Sequence, residues 1–92
     1  NLNNIILAYE PVWSIGTGII PKKSDLEENI FFIRKFLKKK LRIKNPVILY
    51  GGSVNSKNIN ELRTINQING FLIGGASQNS NKFIDIIKKT FI

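Results

Sequence analysis

An α/β architecture of three parallel strands alternating with three helices follows from three observations. Short apolar runs stand at residues 5–9, 47–50 and 71–73, the pattern of parallel strands covered on both faces. Each run is followed by a segment whose apolar residues recur at helical spacing. Each also stops abruptly, at Glu10-Pro11, Gly51-Gly52 and Gly74-Gly75. Strand alternating with helix calls for a parallel sheet joined by right-handed crossovers.

Ile5-Ile6-Leu7-Ala8-Tyr9 is the first strand, and Pro11 ends its ladder by removing a donor. Val12 and Trp13 follow as an apolar anchor, then Ser14 to Gly18 as a small, glycine-bearing tip. Ser24 with Glu27 three residues on reads as a capping box, and Asp25 adds first-turn acidity. The helix they open runs to about Lys40, with Leu26, Ile30, Ile33, Leu37 and Leu41 on one stripe toward the sheet. Phe31 and Phe32 fall off that stripe and face a neighbouring helix or a partner. Pro46 admits the second strand, Val47-Ile48-Leu49-Tyr50. Asn55 or Ser56 caps a short helix with Ile59 and Leu62 turned inward. After a turn at 66–70, Phe71-Leu72-Ile73 is the third strand. A last helix, about 81–91, buries Phe83, Ile84, Ile87 and Phe91.

The 92 residues suffice for one small core, and nothing divides them into two domains. The absence of Met and an opening Asn-Leu-Asn-Asn ahead of a strand suggest a piece of a longer chain. With no Cys there is no disulfide or thiolate metal site, and with no His the commonest metal ligand and general base is missing. No apolar run approaches membrane-spanning length and no leader is visible, so the cytosol is the default. The net charge of +8 and pI of about 10.1 suit either nucleic acid or small anionic substrates. Lys35, Lys38, Lys39, Lys40, Arg42 and Lys44 cluster at one helix's end, where cations suit the dipole. Solvated helix faces and a bias toward Ile, Asn and Lys account for much of this charge.

The stretch from Ala8 to Gly18, AYEPVWSIGTG, carries the most chemistry. An acid on a rigid strand end with a mobile flap beyond it is a catalytic layout. On residue chemistry alone, a solvated carboxylate is the simpler account of Glu10. The glycine pairs also read two ways. Each serves as a tight turn, and each leaves successive peptide N–H groups unobstructed enough to wrap a phosphate dianion. Two pairs at equivalent strand ends beside an acid favour phosphate.

YEPVWSIGTG resembles the active-site signature of the triosephosphate isomerase family, and two further motifs match in order. Tyr50-Gly51-Gly52-Ser53-Val54 is similar to that family's loop after the seventh strand, and Gly70 to Ser77 (GFLIGGAS) to its eighth strand and following loop. The resemblance spans nearly all of residues 5–92. It implies the C-terminal part of a (β/α)8 barrel, strand–helix units six to eight. A complete barrel is known to take about 250 residues, so the N-terminal part lies outside these 92.

The resemblance also implies roles. Glu10 matches the base that moves a proton between two substrate carbons through an enediolate, interconverting dihydroxyacetone phosphate and glyceraldehyde 3-phosphate in glycolysis and gluconeogenesis. Gly16 at the flap tip, Ser53, Gly74 and Gly75 match the phosphate's main-chain donors. Pro11, Val12 and Trp13 match the first hinge and Ile19, Ile20 and Pro21 the second, with Ser14, Ile15, Thr17 and Gly18 completing the flap. Tyr50 matches the residue the closed flap touches. A phosphorylated triose substrate, a homodimer when complete, and no cofactor, metal, nucleic acid or membrane are implied as well. The family's Lys and neutral His precede this segment, so the segment alone is expected to be inactive.

Two departures stand out. Asn69 replaces an Asp that pairs with the Arg matched by Arg34, which reduces an ion pair to a neutral hydrogen bond or removes it. Pro21 falls where the family's flap donates a backbone N–H to the tyrosine matched by Tyr50, and proline has none. The rival readings are another phosphate-binding barrel enzyme, which leaves YEPVWSIGTG unexplained, and a basic nucleic-acid module. The latter calls for aromatics interleaved with Lys or Arg on an exposed face, whereas most aromatics here fall in strands or on apolar helix faces.

Overall fold

A computed structural model describes residues 4–11 and 22–91. Its elements, in order, are β1 (Ile6–Tyr9), α1 (Lys23–Lys39), β2 (Val47–Tyr50), α2 (Ile59–Leu62), β3 (Gly70–Phe71), a 3₁₀ turn (Gly75–Gln78) and α3 (Ser80–Phe91). The strands form one parallel sheet in the order β1-β2-β3. Tyr9 pairs with Tyr50 and Tyr50 with Phe71, so the three strands end level. Backbone bonds carry the ladder one step further, from Gly51 N–H to the Tyr9 carbonyl (2.8 Å) and from Leu72 N–H to the Tyr50 carbonyl (3.0 Å). The third strand is therefore shorter than its apolar run and starts one residue earlier, at Gly70.

One face of the sheet is covered. Ile48 and Tyr50 point into a core with Leu26, Ile30 and Leu37 of α1, Ile59 and Leu62 of α2, and Ile86 of α3, and Leu7 and Tyr9 pack against it. The other face, carrying Ile6, Ala8 and Val47, is exposed, Ile6 to 65%. Burial on both faces is thus corrected to burial on one, because no second layer lies over Ile6 among the described residues.

The helices bring further corrections. α1 begins at Lys23 with Lys22 as its N-cap and no side-chain capping bond, so the Ser24–Glu27 box does not form. Ser24 sits two residues past the cap position, inside the helix. Asp25 does occupy the first turn. At the other end Leu41 is 42% exposed and Ile43 takes the core position instead. Arg42 adopts a left-handed backbone (φ 56°), and the Ile43 N–H bonds the Leu37 carbonyl (3.1 Å), so the chain turns before Leu41 can complete the stripe. Ile33 is half-buried against the core, while Phe31, Phe32 and Phe36 are exposed beside Lys35, Lys38 and Lys39. Aromatics interleaved with lysines on an open helix face are thus present, contrary to the sequence reading.

α3 starts at Ser80 and buries only Ile86 fully. Phe83 is half-buried, and Ile84, Ile87 and Phe91 are exposed, Phe91 to 81%. β3 is an edge strand, so α3 has a neighbour on one flank only. An apolar hollow of about 280 Å³ lies between them, lined by Phe71, Ile73, Phe83, Ile87 and Phe91 among others.

Candidate functional site

The level strand ends put three chemical pieces on one edge of the sheet. Glu10 follows β1 directly, Gly51-Gly52-Ser53 follows β2, and Gly74-Gly75 stands three residues beyond β3. In parallel α/β folds this edge, where the strand carboxyl ends open, is where ligands bind.

Glu10 and Gly51 are in close approach. A Cβ built on Gly51 would stand 2.5 Å from Glu10 Cγ and 2.9 Å from its Oε1. Only a glycine leaves the carboxylate room to lie across the second strand end. Glu10 is exposed and Pro11, next to it, is buried, so the acid is rooted at a fixed backbone point while its head stays accessible.

Beside this pair is a hollow of about 490 Å³ lined by Gly51, Gly52, Ser53, Gly74, Gly75 and Lys82, with Val54, Asn55, Ala76, Gln78 and Asn79. A Cβ on Gly74 or Gly75 would meet nothing within 4 Å, so these residues border open space rather than packed protein. Among the described residues, neither the Gly74 nor the Gly75 N–H donates a hydrogen bond. The 3₁₀ turn begins at Gly75 and is closed by the Ser77 N–H on the Gly74 carbonyl (3.0 Å). Such a turn leaves its leading N–H groups without internal partners.

The loop after β2 is held from behind by two asparagines. Asn55 Oδ1 accepts the N–H groups of Lys57 (2.8 Å) and Asn58 (2.9 Å), and so caps the turn leading into α2. Asn58 Oδ1 accepts the Asn55 N–H (2.8 Å), and its Nδ2 donates to the Ser53 carbonyl (2.9 Å). That last bond fixes the peptide that follows Ser53. Asn58, Gln78, Asn79 and Lys82 were not picked out from the sequence; polar residues in a helix's approach give no signal until the turn geometry is known.

At the opposite edge, Arg34 Nη1 donates to the Pro46 carbonyl (2.8 Å), and Nη2 to the Gln67 carbonyl (2.6 Å) and Asn69 Oδ1 (2.7 Å). Asn69 Oδ1 also accepts the Ile48 N–H (2.8 Å). The contact expected between residues 34 and 69 is kept, as a hydrogen bond from the guanidinium to an amide oxygen rather than an ion pair. Tyr50 is fully buried at the end of β2. The other flap residues, Val12, Trp13, Ser14, Ile15, Gly16, Thr17, Gly18, Ile19, Ile20 and Pro21, lie outside the described residues, and with them the Pro21 latch question. No helix among the described residues is long and apolar enough to cross a membrane.

Parallel strands alternating with helices, with an acid at one strand end and glycine loops at the next two, are the architecture of part of an α/β barrel. The family model for triosephosphate isomerase matches residues 1–90, and the chain belongs to that family. It is 48% identical over 90 residues to a triosephosphate isomerase of Amoebophilus asiaticus, covering 95% of this chain and 36% of that relative. Against those of Dictyostelium discoideum and Candida albicans it is 44% and 46% identical over 89 residues, covering 94% of this chain in each case and 35% and 36% of the relatives. The chain thus spans about a third of the length of the curated relatives it matches.

Proposed function

We propose that this chain supplies the base and the phosphate cradle of a triosephosphate isomerase, acting on dihydroxyacetone phosphate and glyceraldehyde 3-phosphate in glycolysis and gluconeogenesis. The observation that carries the reading is the close approach of Glu10 to Gly51, which lines the glycine-bordered hollow, in a chain of that family.

Glu10, as the ionised carboxylate, takes a proton from the substrate carbon beside the carbonyl and returns it to the neighbouring carbon through an enediolate. The main-chain N–H groups of Ser53, Gly74 and Gly75 hold the phosphate, and Gly16 joins them when the flap (Pro11 to Pro21) closes over the site and excludes water. No metal or cofactor takes part. The electrophile that polarises the carbonyl comes from outside these 92 residues. The segment by itself is therefore inactive, since a base without that electrophile lacks most of the electrostatic stabilisation the developing enediolate needs. The complete protein is a cytoplasmic homodimer, and Phe31, Phe32 and Phe36 pack against other parts of it rather than against nucleic acid.

The test is Glu10→Gln in the barrel-length protein. Loss of the base lowers turnover by about 10²–10⁴-fold while inorganic phosphate still inhibits. Turnover near that of the unsubstituted protein would overturn the assignment.

A further inference from the structure

Lys82 lines the same hollow as Gly51, Gly52, Ser53, Gly74 and Gly75, and it is the one charged residue among those lining it. It is brought there by the way α3 begins. Asn79 precedes the helix, its carbonyl accepts the Phe83 N–H (3.0 Å) and its Oδ1 accepts the Lys82 N–H (3.1 Å). The cap therefore fixes Lys82 as the third residue of α3, in the first turn.

A cation in a first turn opposes the helix dipole. α1 follows the favourable arrangement, with Asp25 in its first turn and Lys38 and Lys39 in its last. α3 follows it only at its far end, where Lys88 and Lys89 stand; its first turn has no acid. Lys82 forms no ion pair among the described residues, and Asp85, the nearest acid on the same helix, is taken by Lys89 at 3.1 Å. Lys82 and the residues carrying the unpartnered Gly74 and Gly75 N–H groups line one hollow. No acid among the lining residues balances them.

We propose that Lys82 is a side-chain ligand of the substrate's phosphate, adding a full positive charge to the main-chain donors that this chain supplies to the cradle. A phosphate monoester dianion would meet Gly74 and Gly75 on one side and the Lys82 ammonium on the other. The anion would also relieve the first-turn repulsion that the chain leaves uncompensated. A bond to an ionised donor is about twice as strong as one to a neutral N–H. Lysine, a compact charge on a flexible stem, can follow an anion as it enters and leaves. The identity of the substrate rests on the isomerase reading; the binding of an anion by Lys82 does not.

The experiment uses the barrel-length protein and inorganic phosphate, with binding read by calorimetry and inhibition constants. Lys82→Gln is expected to weaken phosphate binding roughly fivefold and to flatten its salt dependence. KM should rise to a similar extent while kcat stays within about twofold, and Lys82→Arg should restore most of the affinity. Without phosphate, Lys82→Gln should unfold at a temperature no lower than the unsubstituted protein, because it removes a cation from a first turn. Phosphate affinity unchanged in Lys82→Gln would overturn the proposal and leave the isomerase reading standing. If the unsubstituted protein binds phosphate through Lys82 but does not interconvert the triose phosphates, the isomerase reading falls and the anion site holds. Failure of the unsubstituted protein to bind phosphate at all would overturn both.

Discussion

Where the strands begin, Arg34 gathers the Pro46 and Gln67 carbonyls and the Asn69 amide, and Asn69 in turn takes the Ile48 N–H. Where the strands end, glycines at 51, 52, 74 and 75 border a hollow of about 490 Å³. Both edges are built from turns between the same strands and helices. One spends its polar groups on itself, and the other leaves the N–H groups of Gly74 and Gly75 without a partner among the described residues. The difference marks which edge holds the sheet together and which edge is available for chemistry, as in barrels generally.

Substitutions at the two edges should separate folding from binding, and the largest effect belongs at the strand starts. Arg34→Ala removes three hydrogen bonds from a charged donor and strands two carbonyls, a loss of about 2–3 kcal/mol. Urea unfolding of the barrel-length protein should show this, with activity per folded molecule unchanged. A matching fall in kcat would mean the clamp also positions the site.

At the strand ends the expected effect is on binding rather than folding. Gly74→Val fills open space assigned to the phosphate in the proposed site, since apart from its chain neighbours no atom of the described residues lies within 4 Å of the new Cβ. KM and the phosphate inhibition constant should rise about tenfold, with the unfolding midpoint nearly unmoved. Unchanged phosphate inhibition would count against the cradle.

The smallest effect falls on a residue shared by the core and the strand-end edge. Tyr50 is buried in the core and ends β2 at the site. If Pro21 denies the flap its N–H, Tyr50→Phe should change turnover by less than about twofold, because there is no flap bond to lose. A large fall in kcat would show that another flap donor reaches the hydroxyl.

What was legible beforehand depended on how local its cause was. Leu26, Ile30 and Leu37 announce their face by helical spacing alone, and the glycine pairs announce strand ends because a following strand residue would need a side chain there. Leu41 misled because its fate rests on Arg42, a non-glycine residue with positive φ that no pattern flags. Phe91 and Ile84 misled for a different reason. Their spacing is that of a buried face, but β3 is an edge strand and nothing among the described residues covers that face. Lys82 was invisible because its place depends on the 3₁₀ turn that separates Gly75 from the start of α3.

Asn69 has a consequence for how the fold responds to acid. A carboxylate held against Arg34 would have its folded pKa pulled below the unfolded one. It would stabilise the fold above the unfolded value and lose that contribution as pH fell through the folded one. An amide exchanges no proton over this range. The hold of Arg34 on the strand starts is therefore a constant from acidic to neutral solution, where a paired acid would have made it a variable.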